Sequence, residues 1–123
     1  MTDPKSLLIF IELEWFSESW HGAGLTDDDL VGLQISLMKS PRAGDVIPGT
    51  KGVRKIRYAP KSWNTGKRSA LRVLYVYFER YGQILLIFVY KKGKMSNLSE
   101  TGKKAVNHAI ERIEAEYRNQ FGF

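Results

Sequence analysis

Seven side chains in the middle of the chain are of the types that bind and cleave a phosphodiester. They lie in, or at the ends of, three apolar segments with strand character, and they are Arg54, Lys55, Arg57, Arg72, Tyr90, Lys91 and Lys92. Cleavage of RNA by its own 2′-hydroxyl needs a proton acceptor, a proton donor and groups that stabilise charge on the phosphate. Arginine binds phosphate bidentately, crowded lysines can exchange protons, and tyrosine can donate a proton or stack on a base. This set therefore suffices for RNA cleavage without histidine or a metal ion.

The basic residues are concentrated in this central region. Between Lys39 and Lys94 there are 14 Lys and Arg against two acids, whereas residues 1–38 hold one Lys against seven acids. Residues 95–123 hold four of each, so the three segments carry −6, +12 and 0. Such a surplus on predicted strands indicates a surface that binds a polyanion. Composition alone favours a basic sheet that binds RNA, or an acidic protein, without catalysis.

The sequence lacks the residues or patterns that several other kinds of functional site require. The chain has no cysteine, which rules out a thiol nucleophile and mildly favours a reducing compartment. His21 and His108 are far apart in sequence, which disfavours a metal pair or a Ser-His relay. The run Gly49-Thr50-Lys51-Gly52 lacks the full phosphate-loop pattern and precedes a strand. The apolar run Leu7–Ile11 is too short to span a bilayer. We expect a cytoplasmic protein with no cofactor.

Three predicted strands position the basic side chains. Val53–Tyr58 alternates, with Val53, Lys55 and Arg57 on one face and Arg54, Ile56 and Tyr58 on the other. Leu71–Glu79 and Gln83–Tyr90 are apolar and form a hairpin around residues 80–82. Arg72 interrupts the first of these apolar runs, which is destabilising unless it pairs with an acid or reaches a ligand. Both roles remain open from the sequence.

The remaining segments predict a further strand and two helices. Leu7–Leu13 has the branched and aromatic residues of a buried strand. Thr26 and the aspartates after it indicate a helix start, and Ser40–Pro41 indicates its end. Ser99 is predicted to cap the last helix, whose apolar stripe comprises Val106, Ala109, Ile110, Ile113 and Tyr117. Residues 14–25, with two tryptophans, could pack under a loop or begin a short helix.

The order of these elements predicts the fold. A chain of 123 residues is long enough for one domain with a core of its own, and we expect residues 1–123 to form it. Strand, helix, three strands and helix indicate an α+β domain. We expect a small twisted antiparallel sheet of about four strands, with the helices packed on one face.

The sequence resembles the RelE/HigB superfamily of bacterial toxins, most closely the HigB branch. The resemblance extends from Leu7 to about Glu116 and is carried by residues 8–12 (LIFIE), 44–50 (GDVIPGT), 52–57 (GVRKIR), 66–68 (GKR), 72–75 (RVLY) and 90–92 (YKK). It implies a RelE-like fold and the toxin of a type II toxin–antitoxin pair. Such a toxin enters the A site of the 70S ribosome, against 16S ribosomal RNA, and cuts the mRNA there. The implied partner is a helix-turn-helix antitoxin, with no membrane involved.

The resemblance also implies roles for individual residues. Arg57 and Arg72 would hold the scissile phosphate, Lys55 or Lys92 would transfer protons, and Tyr90 would stack on a base or donate a proton. Gly49 would shape the ribosomal contact. Contacts to RNA or the ribosome would come from Lys51, Arg54, Lys61, Lys67, Arg68, Lys91 and Lys94. Two alternatives remain: a non-catalytic toxin of the ParE type that acts on DNA gyrase, and an RNA- or ribosome-binding module without nuclease activity.

Overall fold

The computed structural model describes residues 7–61, 70–93 and 98–123. Lys67, Arg68 and Lys94, which were predicted to contact RNA or the ribosome, lie outside the described residues. The elements in chain order are β1 (Ile9–Glu12), α1 (Glu14–Gly22), α2 (Asp27–Lys39), β2 (Asp45–Val46), β3 (Val53–Tyr58), β4 (Leu71–Phe78), a 3₁₀ turn (Glu79–Tyr81), β5 (Gln83–Lys91) and α3 (Glu100–Phe121). In the described part of the chain, no helix has the length and apolar character needed to cross a membrane.

The strands form one mixed sheet in the order β1-β5-β4-β3-β2. β1 runs parallel to β5, and the other neighbouring pairs are antiparallel. The predicted hairpin is confirmed, and it contains a bulge: Leu74 lies opposite Phe88, but Tyr75 lies opposite Leu86. Ile87 is therefore the extra residue on β5, and a bulge of this kind increases the local twist.

Helices cover both faces of the central strands. On one face α1 and α2 bury Phe16, Trp20 and Leu33 against β4 and β5. On the other face α3 buries Val106 and Ile110. This double cover explains why β4 and β5 are apolar at consecutive positions, since both sets of alternating side chains are buried.

The α+β class predicted from the sequence is confirmed, with differences in detail. The expectation that the helices pack on one face was wrong, because the sheet buries apolar side chains on both sides. The sheet is mixed rather than wholly antiparallel, since β1 pairs in parallel with β5. It also gains a strand of two residues, β2, that pairs with β3. Residues 14–22 form a helix, which resolves the alternative left open by the sequence.

The predicted helix starts are confirmed by their caps. The Thr26 side chain accepts a hydrogen bond from the Asp29 backbone N–H at 3.1 Å, and the Asp29 carboxylate accepts one from the Thr26 N–H at 2.9 Å. This reciprocal pair is a capping box. Ser99 likewise accepts a hydrogen bond from the Gly102 N–H at 3.0 Å and so fixes the start of α3.

Tyr117 anchors the far end of α3 and makes the stability of the fold sensitive to high pH. Its ring packs edge-on against Phe78, with centroids 5.3 Å apart, and its hydroxyl donates a hydrogen bond to the Gln83 side chain. Burial, helped by the nearby Glu116 carboxylate and by Tyr81, raises the pKa of Tyr117 from 10.0 to about 12. The folded protein therefore keeps a proton that the unfolded chain releases once the pH exceeds 10.

We expect the free energy of unfolding to fall as the pH rises from 10 towards 12, and to fall less steeply in Tyr117→Phe. The reason is that stability supplied by a raised pKa is present below the unfolded value and is lost as the pH passes the folded value. Urea denaturation followed by circular dichroism at several pH values measures both slopes. Equal slopes in the two proteins would contradict this role of Tyr117.

Candidate active site

Strand register brings the predicted catalytic residues of β3, β4 and β5 onto one face of the sheet. Arg57 lies directly opposite Arg72, and Arg72 lies directly opposite Tyr90. Val53 and Tyr90 belong to the core under α3, so Lys55 and Arg57, two and four residues after Val53, project from that same face. The result is a row of two arginines and a tyrosine across three strands, with Lys55 beside it.

Three of these side chains line one cleft of about 390 Å³. The lining residues are Ala43, Asp45, Lys55, Ile56, Arg57 and Arg72. Three cations and one carboxylate give the cleft a positive charge, which suits a phosphate group. The predicted grouping of Lys55, Arg57 and Arg72 is therefore present in the fold.

Arg72 is partly buried beside the cleft. Its Nη1 donates a hydrogen bond to the carbonyl of Ala70 at 3.1 Å. The ion pairs found among the described residues are Arg42–Glu79, Lys51–Glu111 and Lys103–Glu100. Arg72 thus has no acidic partner in the described part of the chain, so the structural ion pair considered from the sequence is not formed there. Its guanidinium group keeps N–H donors for a ligand.

Tyr90 is buried at the edge of the row and is 8% exposed. Its ring lies near that of Phe88, with centroids 6.2 Å apart. Burial raises the pKa of Tyr90 above its ordinary value of 10.0, and the Arg72 guanidinium opposes that rise. The hydroxyl is therefore protonated at neutral pH, which is the form that can donate a proton or a hydrogen bond.

Asp45 is a cleft residue that the sequence did not single out. It lies opposite Lys55 across the β2–β3 pair, and its side chain is exposed. A carboxylate beside the cations is a possible proton acceptor. The sequence does show that Asp45 is one of only two acids in a strongly basic region. Its position beside Lys55 could not be predicted, because it depends on a strand of only two residues.

Arg54 is placed differently from its neighbours in β3. Its Nη1 donates hydrogen bonds to the carbonyl oxygens of Arg42 at 3.1 Å and Gly44 at 2.7 Å. It projects from the face opposite Lys55 and Arg57, as the predicted alternation requires. The structure thus gives Arg54 a role in holding the loop before β2 and does not bring it into the cleft.

The loop before β3 is fixed to α3. The Lys51 N–H donates to the Asn107 side chain at 2.8 Å, and Asn107 donates to the carbonyl of Gly49 at 3.1 Å. The Lys51 ammonium pairs with Glu111 at 3.3 Å. Gly49 has a positive φ of 80°, which glycine adopts without strain. Gly49 therefore shapes the turn before β3, and Lys51 lies at the helix rather than in the cleft. The ribosomal contact predicted for both residues stays a prediction.

The other predicted cations lie at strand ends. Lys61 is exposed just after β3, and Lys91 and Lys92 are exposed where β5 ends. None of these three residues is in the described lining of the cleft, and their contact with RNA or the ribosome stays a prediction.

The histidines do not form a site. His21 lies at the end of α1 and His108 in the middle of α3, on opposite sides of the sheet. Across residues 7–61, 70–93 and 98–123, no three His, Asp or Glu side chains come together in a group that could hold a metal ion.

No family model matches this chain, but it is similar to several solved structures, among them the two that follow. The first is a variant of E. coli toxin RelE, with two arginines replaced by alanine, in the free state. The match covers 86% of this chain and 97% of that one, at 15% identity and a TM-score of 0.49. The second is the isolated E. coli RelE toxin, with 87% and 99% covered, 20% identity and a TM-score of 0.49.

We expect Arg57→Thr to raise the free energy of unfolding by up to about 1 kcal/mol, because like charges directly opposite in a sheet are destabilising. Threonine also suits a strand. The matched control is Arg54→Thr in the same strand, which should lower stability because it removes two hydrogen bonds to carbonyl oxygens. Urea denaturation at low salt measures both changes. Equal destabilisation by the two variants would contradict the repulsion between Arg57 and Arg72.

Proposed function

We propose that this chain is a ribosome-dependent mRNA endonuclease, the toxin of a type II toxin–antitoxin module in the HigB-like branch. It would cut mRNA in the ribosomal A site and so inhibit translation. The observation that carries the proposal is the cleft in which Lys55, Arg57 and Arg72 converge, with Tyr90 in the same cross-strand row. The sequence resemblance to the RelE/HigB superfamily supports it on the same residues.

The paired arginines are suited to the transition state of phosphodiester cleavage. Their strands hold the two Cα atoms about 5 Å apart, so the guanidinium groups repel each other when the cleft is empty. A pentavalent phosphate carries more negative charge than the ground state and relieves more of that repulsion. Arg57 and Arg72 therefore stabilise the transition state more than the bound substrate, as catalysis requires.

The remaining groups transfer protons. Lys55 or Lys92, in its neutral amine form, takes the proton from the 2′-hydroxyl as its oxygen bonds to phosphorus. The carboxylate of Asp45, which lies opposite Lys55, is a further acceptor. The bond from phosphorus to the 5′-oxygen breaks, and Tyr90 donates a proton or hydrogen bond to that oxygen. The products are a 2′,3′-cyclic phosphate and a 5′-hydroxyl. The reaction requires no metal ion and no water in this step.

The composition of the cleft also supports dependence on the ribosome. Histidine, the side chain that ordinarily exchanges protons near neutral pH, is absent from the described residues that line the cleft. Orientation of the 2′-hydroxyl and charge stabilisation must then supply most of the acceleration. A ribosome holds mRNA in a defined geometry in the A site. Contacts to ribosomal RNA would come from Lys61 and Lys91, and from Lys67, Arg68 and Lys94 outside the described residues.

We expect mRNA cuts inside codons at the A site of purified translating ribosomes, and no cuts when ribosomes are omitted. Arg72→Ala should lower the cleavage rate at least a hundredfold, since it removes charge stabilisation, and Tyr90→Phe should lower it about as much by removing the donor. The control is Arg80→Ala, an exposed arginine in the turn after β4. Mapping of mRNA 5′ ends measures the rates.

Each contrary outcome of this experiment points to a different function. Cuts without ribosomes would make the protein a free ribonuclease. An unchanged cleavage rate in Arg72→Ala would show that the cleft takes no part in catalysis. Arrested translation without cuts would favour a ribosome-binding module, and inhibited gyrase without cuts would favour a toxin of the ParE type. A helix-turn-helix antitoxin remains the proposed protein partner, to be tested by co-purification with the product of the adjacent gene.

A further inference from the structure

A second hollow lies beside the cleft on the same face of the sheet. It is an apolar groove of about 420 Å³ between α1, the start of α3 and the hairpin. Leu74, Ile87 and Phe88 form its floor, while Trp15 and Ala105 stand on the helices at its two sides. Leu74 and Ile87 are 1% exposed but Trp15 is 42% exposed, so an indole ring faces solvent beside a buried apolar floor.

The groove adjoins the cationic cleft across the β3–β4 pair. Leu74 lies directly opposite Lys55 on β3 and opposite Phe88 on β5. Arg72 and Tyr90 form the next same-face pair along these strands, two residues or roughly 7 Å away. Phe88 lines the groove, and the ring of Tyr90 lies near it, with centroids 6.2 Å apart. Anion-binding groups therefore give way to an apolar floor within the length of one nucleotide.

We propose that this groove is a nucleobase subsite, which takes one base of an RNA strand whose phosphate lies between Arg57 and Arg72. A nucleotide joins an anionic phosphate to a flat base with apolar faces, and this surface places cations and aromatic rings side by side. Bases stack on aromatic side chains with little regard to sequence, because every base has a π-face. The subsite rests on the proposed function, since the same RNA strand must occupy the cleft.

Trp15 and Ala105 allow the groove to be changed without touching the cleft or the core. Trp15→Ala removes the exposed ring, whereas Trp15→Phe retains an aromatic face. Ala105→Leu fills the groove from the exposed side of α3 with a good helix former. The matched control is Ile35→Ala on α2. The exposed fraction of Ile35 is 43%, nearly the same as that of Trp15, but α2 covers the face of the sheet opposite to the groove.

The experiment compares two fluorescently labelled strands of equal length by anisotropy at fixed salt. One is 2′-O-methyl oligoadenylate, which cannot be cleaved by its own 2′-oxygen, and the other is the same backbone without bases. We expect the wild-type protein to bind the adenylate strand about tenfold more tightly. Trp15→Ala and Ala105→Leu should lose this preference and keep their affinity for the abasic strand. Trp15→Phe and Ile35→Ala should keep the preference for the adenylate strand. Arg72→Ala should lower the affinity for both strands.

The outcomes separate the subsite from the proposed function. Equal affinity of the wild-type protein for both strands would overturn the subsite while leaving the cationic cleft intact. A preference for adenylate that survives in both Trp15→Ala and Ala105→Leu would place the base elsewhere and also overturn it. Failure of both strands to bind would overturn the subsite together with the proposed RNA-binding function. Thermal unfolding of each variant checks that the variant is folded, so that a lost preference cannot result from unfolding.

Discussion

The structure depends on the burial of β4 and β5 on both faces. α1 and α2 cover one face and α3 the other, and the side chains between them form the two halves of the core. The cover on the α3 face is incomplete, because α3 runs from beside Leu74 towards Tyr117 at the opposite end of the hairpin. Arg72 and Tyr90 form the next same-face pair of β4 and β5 beyond Leu74, where Tyr90 is buried in the core under α3 and Arg72 is only partly buried. The candidate site thus lies at the end of the paired strands, at the margin of the core that α3 covers.

This position explains how the fold can hold repelling charges together. Backbone pairing along the whole of β3 keeps Arg57 and Arg72 opposite each other, and this pairing does not depend on the charges of the two side chains. Local electrostatic strain at a functional site persists when the surrounding structure determines the geometry. A phosphate between the two guanidinium groups turns repulsion into two favourable contacts. The same constraint fixes Leu74 and Phe88 beside the row, and so sets the apolar groove next to the cationic cleft.

Much of the site could be predicted because a strand alternates with a period of two. The pattern of Val53–Tyr58 placed Lys55 and Arg57 together and Arg54 on the other face, as the structure has them. The two-sided cover of the sheet was missed, although consecutive apolar residues in β4 were its signal. Asp45 was missed because its strand of two residues is too short for any pattern. The groove could not be predicted, since Trp15 and Ala105 are far apart in sequence and line the same groove only through tertiary packing.

The measurement that tests the central claim most directly is the chemical identity of the RNA ends produced on ribosomes. If the cleft promotes attack by the 2′-hydroxyl, the upstream fragment ends in a 2′,3′-cyclic phosphate and the downstream fragment begins with a 5′-hydroxyl. Methylation of the single 2′-oxygen next to the cut should then abolish cleavage at that position. Fragments with a 3′-hydroxyl and a 5′-phosphate, or cleavage that survives the methylation, would contradict the mechanism assigned to Lys55, Arg57, Arg72 and Tyr90.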